Sequence, residues 1–197
     1  MEVGKKLFDR EARSLEILGK QHDQIPRLLA HFEENEEFYL VQDFIPGHDL
    51  TDELIPGEKK DESYVLKFLE EILEILAFVH QQNTVHRDIK PSNIRRRKDG
   101  KLVLIDFGAV KQVSTQTIHT QHIQNPVHMH GPTVIGNPGY MPVEQEVGEP
   151  NYGSDIYAVG VVCIQALTGI HPDPRVAMSN IFLVAKRSNH PWYYWLI

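Results

Sequence analysis

Two stretches of the chain carry apolar residues at helical spacing. Between Glu62 and Gln82 the apolar positions recur every three or four residues, which predicts a broadly buried helix. Its apolar face comprises Val65, Phe68, Leu69, Ile72, Leu73, Leu76 and Val79. A second helix is predicted from Leu7 to Leu18, because Phe8, Leu15 and Leu18 share one stripe. Gly19 follows at the position where glycine commonly ends a helix.

Shorter apolar runs between polar turns predict strands. Residues 25–32 and 37–42 are expected to form two antiparallel strands joined by the acidic turn 33–36. Ile94 and residues 102–105 flank Asp99-Gly100, a pair that favours a two-residue hairpin because both turn positions need positive φ. Counting outward from that turn places Asn93 opposite Asp106.

Composition narrows the class of protein. The 197 residues, 41% of them hydrophobic, suit one domain with a sizeable core, and a net charge of −7 argues against general nucleic-acid binding. The single cysteine, Cys163, excludes an internal disulfide and favours a reducing compartment, so we expect a cytoplasmic protein. Residues 1–20 lack the apolar core of a secretory signal, and no apolar run approaches the roughly 20 residues that span a membrane.

Acidic, basic and amide side chains concentrate between residues 86 and 106. On the predicted hairpin, the Cβ atoms of Asn93 and Asp106 would lie about 5 Å apart. Their oxygens suit Mg²⁺, which binds through a few carboxylates together with substrate phosphates. Asp88 lies on the loop that enters the hairpin. The pattern indicates a site for a metal-bound nucleotide with a separate carboxylate beside it.

These residues carry a specific family resemblance. His86-Arg87-Asp88-x-Lys90-x-x-Asn93 followed by Asp106-Phe107-Gly108 resembles the catalytic loop and metal loop of protein kinases. Within bacteria it is most similar to the eukaryotic-like (Hanks-type) serine/threonine kinases. The resemblance implies that Asp88 is the base for a substrate hydroxyl and that Lys90 is a cation for the transferring phosphoryl group. It also implies that Asn93 and Asp106 hold Mg²⁺ and ATP, and that the substrate is a protein with Ser or Thr.

The fold expected from this resemblance is α+β and protein-kinase-like. It would have a truncated small lobe, made of a helix plus antiparallel strands, and an incomplete, mainly helical large lobe. Residues 1–45 would form the small-lobe remnant and hinge, residues 46–172 the core of the large lobe, and residues 173–197 a tail that does not match the family.

The resemblance also places the remaining nucleotide contacts. The backbone of Asp43 and Ile45, in the hinge, would meet adenine, and Asp49 would lie near the ribose. For Asp49 the alternative is a helix N-terminal acid. Arg95 has the same strand parity as Asn93, which predicts that it points to the nucleotide face, where the family has an apolar floor beneath adenine.

One expected ion pair lacks one of its two residues in the sequence. Glu11, on the first helix, aligns with the carboxylate that pairs with a phosphate-gripping lysine in the family, and no lysine precedes the helix at a suitable distance. No Gly-x-Gly phosphate loop occurs in the chain either. A solvated helix carboxylate is the alternative interpretation of Glu11.

Residues 109–135 correspond to the activation segment. Thr133 lies where family members accept an activating phosphate, with Arg87 as its cationic partner. A zinc site is the alternative use of the histidines at positions 119, 122, 128 and 130.

Residues 136–144 resemble the substrate-docking turn and its anchor. Asn137 stands where serine/threonine kinases have a threonine that bridges Asp88 and Lys90. Glu144 resembles the anchor carboxylate, and Asp155 would accept N–H groups from the catalytic loop.

Two functions from different classes follow. One is an ATP- and Mg²⁺-dependent protein serine/threonine kinase with impaired activity as an isolated chain. The other is a non-catalytic, pseudokinase-like interaction module, favoured by the missing lysine and glycine loop and by Arg95.

Overall fold

The computed structural model describes residues 2–35, 37–112 and 136–172, which form an α+β fold. In chain order the elements are α1 (Glu2–Leu18), β1 (Leu28–Glu34), β2 (Glu37–Gln42), β3 (Gly47–Asp49), α2 (Glu62–Gln81), β4 (Thr84–Val85), β5 (Ile94–Arg97), β6 (Leu102–Leu104), β7 (Lys111–Gln112), α3 (Val143–Glu146) and α4 (Tyr152–Thr168). Antiparallel pairing joins β1 to β2, β4 to β7, and β5 to both β3 and β6. Within the described residues, no helix combines the length and apolar character needed to cross a bilayer.

Helix α2 is the central element of the core and confirms the predicted helix. It begins after Asp61, whose carboxylate accepts a hydrogen bond from the Tyr64 N–H at 2.8 Å. The buried stripe differs from the predicted one at a single turn, because Leu73 is 38% exposed whereas Ile75 is fully buried. That face of α2 packs against α4.

The first strand of the first hairpin is shifted toward the turn relative to the predicted range 25–32. Strand β1 begins at Leu28 and continues through Glu34, which pairs with Glu37 of β2. Glu33 and Glu34 therefore lie on the strand rather than in the turn. Asn35, with φ of 52°, provides the left-handed backbone that starts the connection, a conformation that asparagine tolerates better than most residues.

The predicted register of the second hairpin is wrong by one residue. Ile94 pairs with Leu104, and the Ile105 N–H donates to the Asn93 carbonyl at 2.9 Å. The connection has three residues, closed by Gly100 at φ 87°, whose N–H donates to Arg97 at 2.9 Å. Three-residue hairpin loops commonly end with a glycine in this left-handed region, so Asp99-Gly100 is a turn signal that two loop lengths can satisfy.

Candidate active site

Only one oxygen of the Asp88 carboxylate has hydrogen-bond partners among the described residues. Its Oδ2 accepts hydrogen bonds from Lys90 Nζ at 2.6 Å and from Asn93 Nδ2 at 2.8 Å. The same Asn93 nitrogen donates to the Asp88 carbonyl at 2.8 Å. Within the described part of the chain, Asp88 Oδ1 is buried and has no hydrogen-bond partner. Three of the predicted site residues therefore form one network, with an acceptor atom left over.

Asp155 fixes the backbone that carries Asp88. Its carboxylate is fully buried in the first turn of α4 and accepts from the N–H groups of His86 at 2.9 Å and Arg87 at 2.8 Å. This is the role that the sequence suggested for Asp155. Arg87 has φ of 70°, an unfavourable value for a side-chain-bearing residue that these two hydrogen bonds help to maintain.

His86 connects the loop of Asp88 to the loop of Asp106. Its Nδ1 accepts from the Asp88 N–H at 3.3 Å, so Nε2 carries the proton that is donated to the Ile105 carbonyl at 3.2 Å. The ring is completely buried and meets Phe107 edge-on at 4.9 Å between centroids. Burial lowers the pKa of His86, and the opposing effects of Asp155, Asp88 and Asp106 do not cancel that shift. Asp88 and Asp106 thus lie near the same neutral imidazole.

Asp106 leaves the strand instead of facing Asn93 across it. Because Asn93 is bonded to Ile105, the expected direct opposition of Asn93 and Asp106 is wrong. Asp106 adopts left-handed backbone angles (φ 65°, ψ 77°), and its Oδ1 accepts from the Gly108 N–H at 3.3 Å. The side chain is exposed, so this carboxylate is available to a ligand.

The carboxylate of Glu11, on α1, lies close to that of Asp106. A Cβ added to Gly108 would lie 3.1 Å from Glu11 Oε2 and 3.3 Å from Asp106 Oδ1, so Gly108 separates the two carboxylates. Burial raises the pKa of Glu11, and the charge of Asp106 raises it further. Glu11 is therefore half-buried beside another acid, and the alternative of a solvated helix carboxylate is wrong.

The hinge residues bind arginines. Asp43 accepts from Arg27 Nε at 2.7 Å, an exposed ion pair that lowers the pKa of Asp43, and its N–H donates to the Arg27 carbonyl at 3.0 Å. Arg95 donates to the Ile45 carbonyl at 3.1 Å and to the Asp49 carboxylate at 2.7 Å. Asp49 also lies at the N-cap position of the following 3₁₀ turn, as the alternative of a helix N-terminal acid expected, although its side chain makes no cap hydrogen bond there.

Comparison with known proteins identifies the family. Residues 2–190 match the model of the protein kinase domain. The chain belongs to the protein kinase family. It is 46% identical over 172 residues to serine/threonine-protein kinase B of Synechocystis and 46% identical over 166 residues to serine/threonine-protein kinase PknA of Nostoc. It is also 32% identical over 185 residues to serine/threonine-protein kinase PrkC of Bacillus subtilis.

The family assignment and the α+β kinase fold expected from the motifs are confirmed. The alignments cover 86%, 84% and 93% of this chain but only 29%, 28% and 27% of those three relatives, so the chain spans less than a third of their length. The family match runs to residue 190, past residue 172, where the resemblance was expected to stop. Residues 173–197 lie outside the described residues, and the internal domain boundaries stay a prediction.

The docking turn of this kinase domain differs from the expectation at Asn137. The Asn137 Oδ1 accepts from the Gly139 N–H at 3.0 Å, so this oxygen serves its own turn instead of bridging Asp88 and Lys90. Glu144 accepts from Ser154 Oγ at 2.9 Å. Thr133 and the four histidines of the activation segment lie outside the described residues, so both hypotheses about them stay untested.

Two residues of the kinase domain that sequence reasoning missed support the catalytic loop. Gln145, in α3, is buried and donates from Nε2 to the Arg87 carbonyl at 2.6 Å. His80, near the end of α2, lies 2.8 Å from the Asp155 carboxylate through its Nε2. The sequence carried no distinctive signal for either role, because each residue is one of several polar residues in its helix.

The residues present fit a magnesium ion. The Asn93 nitrogen is committed to Asp88, so its carboxamide oxygen is the atom left to bind a cation. Asp106 adds an exposed carboxylate. An amide oxygen and a carboxylate are hard oxygen donors of the kind that Mg²⁺ uses beside phosphates.

Proposed function

We propose that this chain contains the catalytic core of an ATP-dependent protein serine/threonine kinase. The observation that carries the proposal is the hydrogen bonding of Asp88, with one oxygen anchored by Lys90 and Asn93 and the other buried and without a partner among the described residues. A buried unpaired acceptor is unfavourable unless a ligand satisfies it. A serine or threonine hydroxyl of a protein substrate would supply that donor and place its oxygen for attack.

The other residues would divide the remaining work. Lys90 would stabilise charge on the transferring phosphoryl group, at a site where its ammonium is already fixed by Asp88. Asn93 and Asp106 would hold Mg²⁺, which supplies charge neutralisation for the phosphates when bound. The backbone of Asp43 and Ile45 would line the adenine side. The Gln42 Oε1, buried and without a partner in the described residues, offers an additional acceptor beside them.

The test is phosphate transfer from labelled ATP with Mg²⁺ to a serine-rich protein. We expect Asp88→Asn to lower turnover about 10²- to 10⁴-fold, the usual contribution of a general base. Asp106→Asn should abolish turnover and weaken Mg²⁺-dependent binding of ADP. Asp99→Asn is the matched control, because Asp99 is an exposed acid at the hairpin turn. Turnover by Asp88→Asn equal to that of the control would refute the proposal.

The second candidate is a non-catalytic, pseudokinase-like interaction module. The contacts of Arg95 with Ile45 and Asp49 favour it, because they use acceptors that a nucleotide would need. Glu11 also lacks an ion-pair partner among the side chains that the structure describes, so we expect slow turnover by the 197-residue polypeptide. Protein binding without any Mg²⁺-dependent ADP binding would favour the module over the enzyme.

A further inference from the structure

Each of the three nitrogens of the Arg95 guanidinium donates a hydrogen bond. Nε donates to the Ile45 carbonyl at 3.1 Å, Nη1 to the Asp49 carboxylate at 2.7 Å, and Nη2 to the Gly47 carbonyl at 2.8 Å. The three acceptors belong to the hinge and the start of strand β3, whose Asp49 pairs with Arg95 across the sheet. The side chain thus joins strand β5 to the segment at residues 45–49.

The location of these hydrogen bonds, rather than their number, makes them relevant to ligand binding. The Arg95 side chain is 22% exposed and that of Asp49 is 34% exposed, so the pair is partly accessible from solvent. The guanidinium satisfies the carboxylate that would otherwise accept the hydroxyl groups of a sugar. Under the function proposed above, the guanidinium is also a cation on the side where the base would lie, and covering an arginine that has lost its partner is costly.

We propose that Arg95 is a latch that sets the affinity of this chain for the nucleoside part of its nucleotide. The proposal rests on the function proposed above, since it concerns the base and sugar end of the same site. In the latched state Arg95 occupies Ile45, Gly47 and Asp49. A nucleotide binds fully only when the guanidinium releases Asp49, so part of the binding energy is used to break these hydrogen bonds.

Arg97 provides a matched comparison on the same strand. It lies two residues further along β5, with a side chain 24% exposed, and binds Asp99 through Nη2 at 2.5 Å. Its guanidinium otherwise contacts Asp23, whereas its backbone pairs with Gly47 across the sheet. Replacing Arg97 removes the same charge from the same strand and leaves the latch intact.

The experiment measures equilibrium binding of ATP, adenosine and inorganic tripolyphosphate, each with Mg²⁺, to the 197-residue chain and three variants. We expect Arg95→Leu to lower the Kd for both ATP and adenosine about tenfold, the consequence of losing one charged hydrogen bond that must otherwise be broken. Arg95→Lys should give a smaller gain, because an ammonium cannot engage all three acceptors at once. Arg97→Leu should leave every Kd unchanged, and tripolyphosphate should bind all four proteins equally.

Each outcome of these binding measurements either supports or overturns the latch. An equal gain with Arg97→Leu, or a gain for tripolyphosphate, would show a general charge effect and overturn the latch. Unchanged or weaker binding of adenosine and ATP by both Arg95 variants would do the same. If none of the four proteins binds ATP, the kinase function proposed above fails together with the latch, whereas ATP binding that ignores Arg95 overturns the latch alone.

Discussion

At the scale of single residues, Glu11 shows how the site concentrates negative charge. Its carboxylate and that of Asp106 lie on either side of Gly108, and burial followed by the charge of Asp106 raises the pKa of Glu11. A raised pKa means that the folded state binds this proton more tightly than the unfolded chain does. The corresponding stabilisation is complete below the ordinary pKa of 4.5 and is lost as the pH rises through the raised value.

We therefore predict that Glu11→Gln stabilises the fold at neutral pH. The variant should raise the Tm at pH 7 by roughly a few degrees and lose that advantage near pH 4, where the wild-type carboxyl is protonated as well. Thermal unfolding at the two pH values measures the effect. Glu16→Gln is the control, because Glu16 is exposed on the same helix and pairs with Lys20. A gain that is the same at both pH values would contradict the assigned cause.

At the scale of elements, the sheet of β3, β5 and β6 is tied to α2 through Glu53. This carboxylate accepts from Arg96 Nε at 2.6 Å, from the Tyr64 hydroxyl at 2.5 Å, and contacts His48 Nε2 at 2.7 Å. Burial raises the pKa of Glu53, but the hydrogen bonds from Arg96, Tyr64 and His48 outweigh it, so the pKa is lowered. Its stabilisation is present above the ordinary pKa of 4.5 and is lost as the pH falls through the lowered value.

Glu53→Gln should consequently destabilise the domain. We expect the free energy of unfolding at pH 7 to fall by about 2 kcal/mol, the range for a lost hydrogen bond to a charged group, and the difference to shrink in acid. Urea unfolding at pH 7 and pH 4 measures it. Glu70→Gln, at an exposed position of α2, should change little. Equal effects of the two substitutions would show that the Arg96 pair contributes nothing.

At the scale of the whole molecule, one buried carboxylate connects the helical core to the catalytic loop. Asp155 enters the core on α4, whose start is fixed by a capping box between Asn151 and Ser154. From there it reaches His80 on α2 and the backbone of residues 86 and 87. The geometry of Asp88 therefore depends on how α2 and α4 pack, and not only on its own loop.

Asp155→Asn tests this dependence. Asparagine replaces one acceptor oxygen with a donor, which faces a backbone N–H or His80, so we expect a loss of about 3 kcal/mol in unfolding free energy. Hydrogen exchange should accelerate at the N–H groups of His86 and Arg87 more than in β1 and β2. Asp52→Asn, at an exposed acid, serves as control. Unchanged protection of the two catalytic-loop amides would contradict the role assigned to Asp155.

The sequence predicted the features that depend on local rules. Helices α1 and α2 follow from apolar spacing, and the site from two short motifs, at residues 86–93 and 106–108. The register of the second hairpin was missed because Asp99-Gly100 is compatible with loops of two or three residues. Strand β3 was missed because it has three residues and forms only by pairing with β5.

By itself, then, the sequence determined the family, the helices and the identity of the residues around Asp88, since periodicity and motif spacing are properties of neighbouring residues. Only the tertiary structure decided which atoms those residues use. Arg95 meets Ile45 and Asp49 from 50 and 46 positions away along the chain, and Asp155 meets His86 from 69. Such contacts arise when packed helices and paired strands bring distant polar groups together away from water, where each must find a partner.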